Sequence, residues 1–272
     1  TFGGAFHGRS YAGISSAGGE KLTKGFGPLL PGFVHVPWAD HDALHEAVGP
    51  RTAAILIEPV QGEGGIRPVP SQCLKGLRAL ADEHGALLVF DEVQCGMGRT
   101  GKLFAHEWAG IAPDIMAVAK GIGGGFPLGA CLATERAASG MVAGTHGSTY
   151  GGNPLACAVG LAVMEEVAEA GFLAEVRRKA GLLLQRLAEL ADSHPDLVET
   201  VRGQGLMLGV KLRERITAGA LVESARDEGL LTVPAADNTV RLLPPLNLSD
   251  EDIAEGVRRL DAALTAAGRA AA

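Results

Sequence analysis

The sequence predicts an α/β chain, with a mainly parallel sheet in its first part and a smaller α+β unit at the C-terminal end. Three observations carry this. Short apolar runs lead into Glu58, Asp91 and Lys120, and these ends fall 33 and 29 positions apart, close to a βαβ repeat of about 30 residues. Between the first two runs the apolar spacing switches to that of a helix. After residue 192 the pattern breaks at His194-Pro195 into shorter, mixed segments.

In chain order, Asp40 caps a short surface helix that runs to Val48. Residues 53–57 are continuously apolar, as in a strand covered on both faces, and Glu58-Pro59 stops them. A helix follows from Ser71 as N-cap, with Leu74, Leu77, Leu80 and Ala81 on its buried face. Gly85 stands where a helix end favours a left-handed residue. The runs 86–90 and 115–119 are the next two strands, ending at Asp91 and Lys120, so that Glu58, Asp91 and Lys120 line the carboxyl edge of a parallel sheet. Asn153 and Pro154 open a long helix with Leu155, Val159, Ala162, Val163 and Val167 on one face. Helix continues over 172–191. A strand near 206–212, a helix near 218–228, a strand near 240–243 and a final helix complete the chain; Ser249 and Asp252 form its capping box, and 265–272 fray. The division is a partial large domain at 1–152, linking helices at 153–192 and a small domain at 193–272.

At 272 residues, 47% hydrophobic and 20% charged, the composition is globular, and a net charge of -7 gives no footprint for nucleic acid or an anionic membrane. Small molecules and other protein chains are the expected partners. No apolar run reaches the roughly 18 residues of a membrane span and the first residues lack a signal pattern, so a cytoplasmic location is expected. Cys73, Cys95, Cys131 and Cys157 are widely spaced, as reduced thiols are. A chain opening on Thr1-Phe2-Gly3-Gly4 reads as a fragment of something longer.

The chemistry starts from Lys120. Burial at a strand end pushes a lysine toward the neutral, nucleophilic amine that Schiff-base formation needs. Asp91 supplies a carboxylate at the matching end of a neighbouring strand. Around them stand Glu58-Pro59-Val60-Gln61-Gly62-Glu63-Gly64-Gly65, then Asp91-Glu92-Val93-Gln94-Cys95-Gly96-Met97-Gly98-Arg99-Thr100-Gly101, then Ala119-Lys120-Gly121, then His146-Gly147-Ser148-Thr149-Tyr150-Gly151-Gly152-Asn153-Pro154. In motif content, order and spacing the chain resembles the class III pyridoxal-phosphate aminotransferases.

That resemblance implies a fold-type I architecture, with a mainly parallel large-domain sheet lacking its N-terminal part and a small α+β C-terminal domain. It implies pyridoxal 5'-phosphate as cofactor. Asp91 would keep the cofactor's ring nitrogen protonated, and Lys120 would be both covalent anchor and general base. Gln94 would bond the phenolic oxygen and Phe6 stack on the ring. Thr149 would reach a neighbouring subunit's phosphate and Ser148 its substrate, in a homodimer with sites at the interface. Arg9 and Arg241 correspond to substrate-carboxylate binders, a task suited to the planar guanidinium fork. Glu63 would gate Arg241, pairing with it while a diamine reacts and releasing it for a 2-oxo acid or glutamate. Glu58 belongs to the same substrate-facing group. The implied reaction exchanges the terminal amine of N2-acetylornithine with 2-oxoglutarate, with ornithine, succinylornithine, succinyldiaminopimelate or 4-aminobutyrate as alternative donors. Family members hold the phosphate with an earlier glycine and serine or threonine turn, so this chain alone is expected to keep the catalytic residues and bind cofactor weakly.

Blander roles are assigned nearby: Glu92 a structural carboxylate, Arg99 a loop brace, Cys95 a small spacer. Gly121-x-Gly123-x-x-Phe126 lacks the third glycine of a dinucleotide loop. A rival from another class is a metallohydrolase built on His41-Asp42-Ala43-Leu44-His45. Aspartate is short for the usual base there, and no third ligand follows.

Overall fold

A computed structural model of the chain describes residues 1–271. Three short helices come first, α1 (Tyr11–Ala17), α2 (Glu20–Thr23) and α3 (His41–Ala47). They lead to β1 (Ala54–Ile57), a small ribbon of β2 (Val60–Gln61) and β3 (Arg67–Pro68), and helix α4 (Ser71–Glu83). Next come β4 (Leu87–Asp91), β5 (Ile115–Val118), β6 (Ala130–Ala133) and the short α5 (Glu135–Ala138). The first sheet has the order β1-β4-β5-β6, parallel between β1, β4 and β5 and antiparallel at β6.

Helix α4 lies against this sheet because its spacing puts Leu74, Leu77, Leu80 and Ala81 on one face, where they bury against Ile55, Ile57, Leu88 and Phe90. Its end is fixed by the backbone. Gly85 has φ 68°, and the amides of Gly85 and Ala86 donate to the carbonyls of Asp82 and Ala81, the paired bonds of a left-handed helix stop. Asp114 then ties helix to sheet. Its carboxylate accepts from the Leu88 amide and from Arg78 at 2.8 Å each, and from Arg136 at 3.3 Å. Burial works to raise its pKa, but the Leu88 bond and the two guanidiniums outweigh it and hold the carboxyl below its ordinary range.

Two long helices, α6 (Pro154–Val167) and α7 (Ala170–Ser193), carry the chain to a second sheet. Asn153 caps α6 by accepting from the Ala156 amide at 2.9 Å. The second sheet is antiparallel, with β7 (Val198–Gln204), β8 (Met207–Leu212), β9 (Val233–Ala235) and β10 (Thr239–Leu242) in the order β7-β8-β10-β9. Between and after these strands come α8 (Ala218–Asp227) and α9 (Asp250–Ala270), the latter opened by the expected Ser249 and Asp252 box. Leu183, Leu187, Leu208, Val240, Leu260 and Leu264 form the core that joins this sheet to its helices. Arg99 bridges the two sheets: its Nη1 donates to the carbonyls of Leu206 and Pro244, and burial lowers its pKa to about 10.

Several expectations are corrected. Ser71 is the first helical residue; Pro70 is the cap, and the Ser71 hydroxyl donates to Trp108. On α6 the buried line is Ala156, Gly160 and Val167, while Leu155 and Ala162 are exposed. The C-terminal segment is helical through Ala270, held by the buried Leu264 and Ala267; residue 272 lies outside the described residues. Strands β2, β3, β6, β7 and β9 lie where the sequence predicts none. Exposed Ala130-Cys131-Leu132-Ala133 has no alternating pattern, and β7 is largely polar with a bulge between Val198 and Thr200.

Because Asp114 joins α4, β4 and the segment after β6, Asp114→Ala should destabilise the chain by about 2–4 kcal/mol at pH 7. Its pKa is depressed in the folded state, so this contribution is present above the unfolded carboxylate range and is lost as pH falls through the folded value. Urea unfolding should therefore show a wide gap between variant and wild type at pH 7 and a narrower one below pH ~4.

Candidate active site

The parallel register sets Ile57 beside Phe90, and Asp91 beside Ala117. Residues following the three strands thus leave the sheet at one edge, its carboxyl end. Glu58, Asp91 and Lys120 emerge there in that order, as expected.

Asp91, the last residue of β4, is 9% exposed. Its Oδ2 accepts from His7 Nδ1 at 2.9 Å and its Oδ1 from the Val93 amide at 3.0 Å. A carboxylate can only accept, so Nδ1 carries the proton. The other ring nitrogen, Nε2, is buried and has no partner among the described residues. His7 is the site residue that sequence reasoning passed over. Its only signal was an imidazole between Phe6 and Arg9.

Glu58, expected among the substrate-facing residues, has its carboxyl turned to the backbone. It is 3% exposed, and its two oxygens accept from the amides of Phe6 at 3.0 Å and Gly62 at 3.1 Å. The carboxyl is a clamp on two loops. Burial pushes its pKa up to about 7; the two amide bonds pull down and the nearby Asp91 charge pushes up further.

Lys120 departs from expectation too. It is exposed, because it lies beyond the end of β5 in a tight 3-10 turn, Lys120–Gly123. Its φ of 47° is the left-handed region, which costs a non-glycine residue about 1–2 kcal/mol and is found disproportionately at functional sites.

The second sheet contributes Arg241, on β10 and 7% exposed. Its Nη1 lies 2.8 Å from Glu63 Oε1 and donates to Gln94 Oε1 at 3.3 Å, and Nη2 donates to the Pro234 carbonyl at 3.4 Å. Glu63 is held in reach by cross-sheet bonds: the Ala236 amide donates to the Glu63 carbonyl at 2.9 Å, and Arg202 Nε to the Gly65 carbonyl at 2.8 Å. Gln94 lies over the backbone of Gly62, where a Cβ would collide with its amide. Only glycine permits that approach.

Phe6 stands at the same edge, with the Arg9 guanidinium 5.6 Å from its ring centroid. Ser148 and Thr149 are in an exposed segment; the Ser148 hydroxyl accepts from the Gly151 amide at 2.9 Å, and neither side chain hydrogen-bonds the cluster. Glu92 is wholly buried and accepts from the amides of Ala105 and His106, the His106 ring and the Cys95 thiol. That is a structural carboxylate, as expected. His41 and His45 sit on exposed α3, and among the described residues no group of three His, Cys, Asp or Glu side chains could hold a metal.

The sequence profile of the family described as aminotransferase class-III matches residues 1–264. The chain belongs to the class-III aminotransferases. It is 67% identical to an acetylornithine aminotransferase of Rhodobacter capsulatus over 263 residues, 97% of this chain and 66% of that relative. Among solved structures, an N-acetylornithine aminotransferase of Stenotrophomonas maltophilia matches 97% of the chain with a TM-score of 0.81 and 39% identity. An ornithine aminotransferase of Toxoplasma gondii matches 99% with a TM-score of 0.93 and 30% identity. The chain spans 65% of the length of each of these two structures, so somewhat under two thirds of its relatives.

The raised pKa of Glu58 sets a pH dependence. The folded state keeps a proton that the unfolded chain releases near 4.5, so this group's contribution is full below 4.5 and is lost as pH rises through about 7. In Glu58→Gln that component is absent. Melting temperatures measured from pH 5 to pH 8 should fall for wild type relative to the variant as pH rises; parallel curves would remove the buried carboxyl from this account.

Proposed function

We propose that the protein, with pyridoxal 5'-phosphate, exchanges the terminal amine of N2-acetylornithine with 2-oxoglutarate. One observation carries the reading: an acid–imidazole pair, Asp91 and His7, shares a sheet edge with the amine of Lys120, while Arg241 faces them from the second sheet with Glu63 of the β2–β3 loop on its guanidinium. The names of the relatives supply the substrate. The donors present fit the cofactor. Asp91 is an acceptor for a protonated ring nitrogen, Lys120 an amine for an aldehyde, Gln94 an amide donor for a phenolic oxygen, and Phe6 an apolar face. The cofactor supplies an aldehyde that captures amines and a ring that, when protonated at nitrogen, draws electrons from the amine-bearing carbon.

The chain's residues divide the remaining work. Asp91 would hold the proton at the ring nitrogen, and the 2.9 Å bond from His7 fixes the carboxylate in place. Lys120 Nζ would hold the cofactor's aldehyde end and would serve as the base that moves the proton at the reacting carbon. The left-handed turn at Lys120 aims a flexible side chain from a fixed backbone point. Arg241 binds the α-carboxylate of glutamate or 2-oxoglutarate when Glu63 releases it, and Arg9 takes the carboxylate of the acetylated substrate.

Ser148 and Thr149 serve the site of a second copy in a homodimer. Support comes from the exposed apolar side chains flanking them, including Met141, Val142, Tyr150 and Leu161. A cytoplasmic location fits the four free cysteines. No helix among the described residues is long and apolar enough to cross a membrane.

Two measurements test this reading. Supplied with pyridoxal phosphate, the protein should consume N2-acetylornithine in preference to ornithine as amine donor, and equal or reversed use would move it to a sister activity. Lys120→Ala should lower amine exchange by at least about a hundredfold, and an active variant would take the lysine out of its role.

A further inference from the structure

Gln94 occupies the space between the two halves of the site. Its amide reaches Arg241 across the gap between the sheets, at 3.3 Å, passing over Gly62, where any side chain would displace it. An arginine only donates, so the atom facing Arg241 must be the amide oxygen. The amide nitrogen of Gln94, with its two protons, then points away from Arg241. The nitrogen of Arg241 that Gln94 accepts from, Nη1, is also the one paired with Glu63. Arg241 has little freedom to compensate, being buried, with Nη2 on the Pro234 carbonyl and Nε without a partner among the described residues.

We propose that Arg241 is a positioning residue for Gln94: the guanidinium that receives the substrate carboxylate also orients the amide whose protons meet the cofactor's phenolic oxygen. This rests on the proposed pyridoxal-phosphate chemistry. The consequence is a coupling between the two ends of the site. While Glu63 holds Nη1, the Gln94 oxygen is anchored and its nitrogen is aimed. When a carboxylate ligand takes Nη1, that anchor loosens and the hydrogen bond at the far end of the amide changes with it. The reacting ring thus registers whether the bound molecule carries an α-carboxylate, through a side chain that does not itself touch that carboxylate.

The test is a double-mutant cycle on the protein reconstituted with pyridoxal phosphate, read as cofactor dissociation constant and as the position of the bound cofactor's visible band. Arg241→Ala should weaken cofactor binding by about fivefold or more and move the band. In a Gln94→Ala background the same substitution should do neither. Additive effects would overturn the proposal. Should Arg241→Ala fail to fold, the wild type titrated with glutarate, a dicarboxylate that cannot react, gives the same answer. Glutarate should move the band in wild type and leave it in place in Gln94→Ala, while inhibiting use of glutamate in both. An equal shift in both proteins, or none in wild type at saturating glutarate, would sink the coupling. A wild type that binds no cofactor would instead reject the underlying functional reading, and the coupling with it.

Discussion

The register of β4 between two parallel neighbours is the constraint on which the rest depends. Pairing Ile57 with Phe90 and Asp91 with Ala117 leaves no choice about where Glu58, Asp91 and Lys120 emerge. A slip of one residue would turn the buried Leu88 and Phe90 toward the opposite face and move Asp91 off its edge. The packing of α4 on Leu88 and Phe90, and the carboxylate of Asp114 on the Leu88 amide, resist that slip. The apolar core and the polar chemistry are therefore fixed by the same pairing.

The chain buries carboxylates in three different ways. Glu92 receives amides, an imidazole and a thiol, and simply organises the loop from 92 to 106. Asp114 is matched by two guanidiniums. Glu58 has amides alone, and its pKa rises to about 7. The difference follows from charge: dipoles satisfy oxygens, whereas only a cation repays much of the cost of keeping an anion out of water. Glu58 still has a spatial role. Its two bonds set the Phe6–Arg9 segment and the Gly62–Gly65 loop on either side of Asp91.

Much of this was legible in the sequence where the signal was local. The caps at Asp40, Asn153 and Ser249, the stop at Gly85 and the strands leading to Asp91 and Lys120 each depend on a few adjacent residues. The pairing of Glu63 with Arg241 came from resemblance, since 178 positions separate them in sequence. What stayed hidden depends on tertiary partners. Nothing beside Glu58 says that its oxygens meet the amides of Phe6 and Gly62, and nothing beside His7 says that it meets Asp91. Strand β7 is polar because one side of it is wet, and it is recognisable only through its pairing with β8. Lys120 was expected to be buried on the strength of the apolar run before it, but the turn at φ 47° carries it out of the sheet.

Arg99 gives the joint between the sheets a particular character. Its guanidinium is buried, and its acceptors are the neutral carbonyls of Leu206 and Pro244 rather than a carboxylate. Mobile ions screen exposed charge pairs strongly and a buried contact to a carbonyl dipole weakly. The Arg99 link between the Arg241-bearing sheet and the Asp91-bearing one is thus nearly indifferent to ionic strength, while the half-exposed Glu63 pair remains open to it. In brine the Arg99 brace keeps its hold; the gate does not keep its grip.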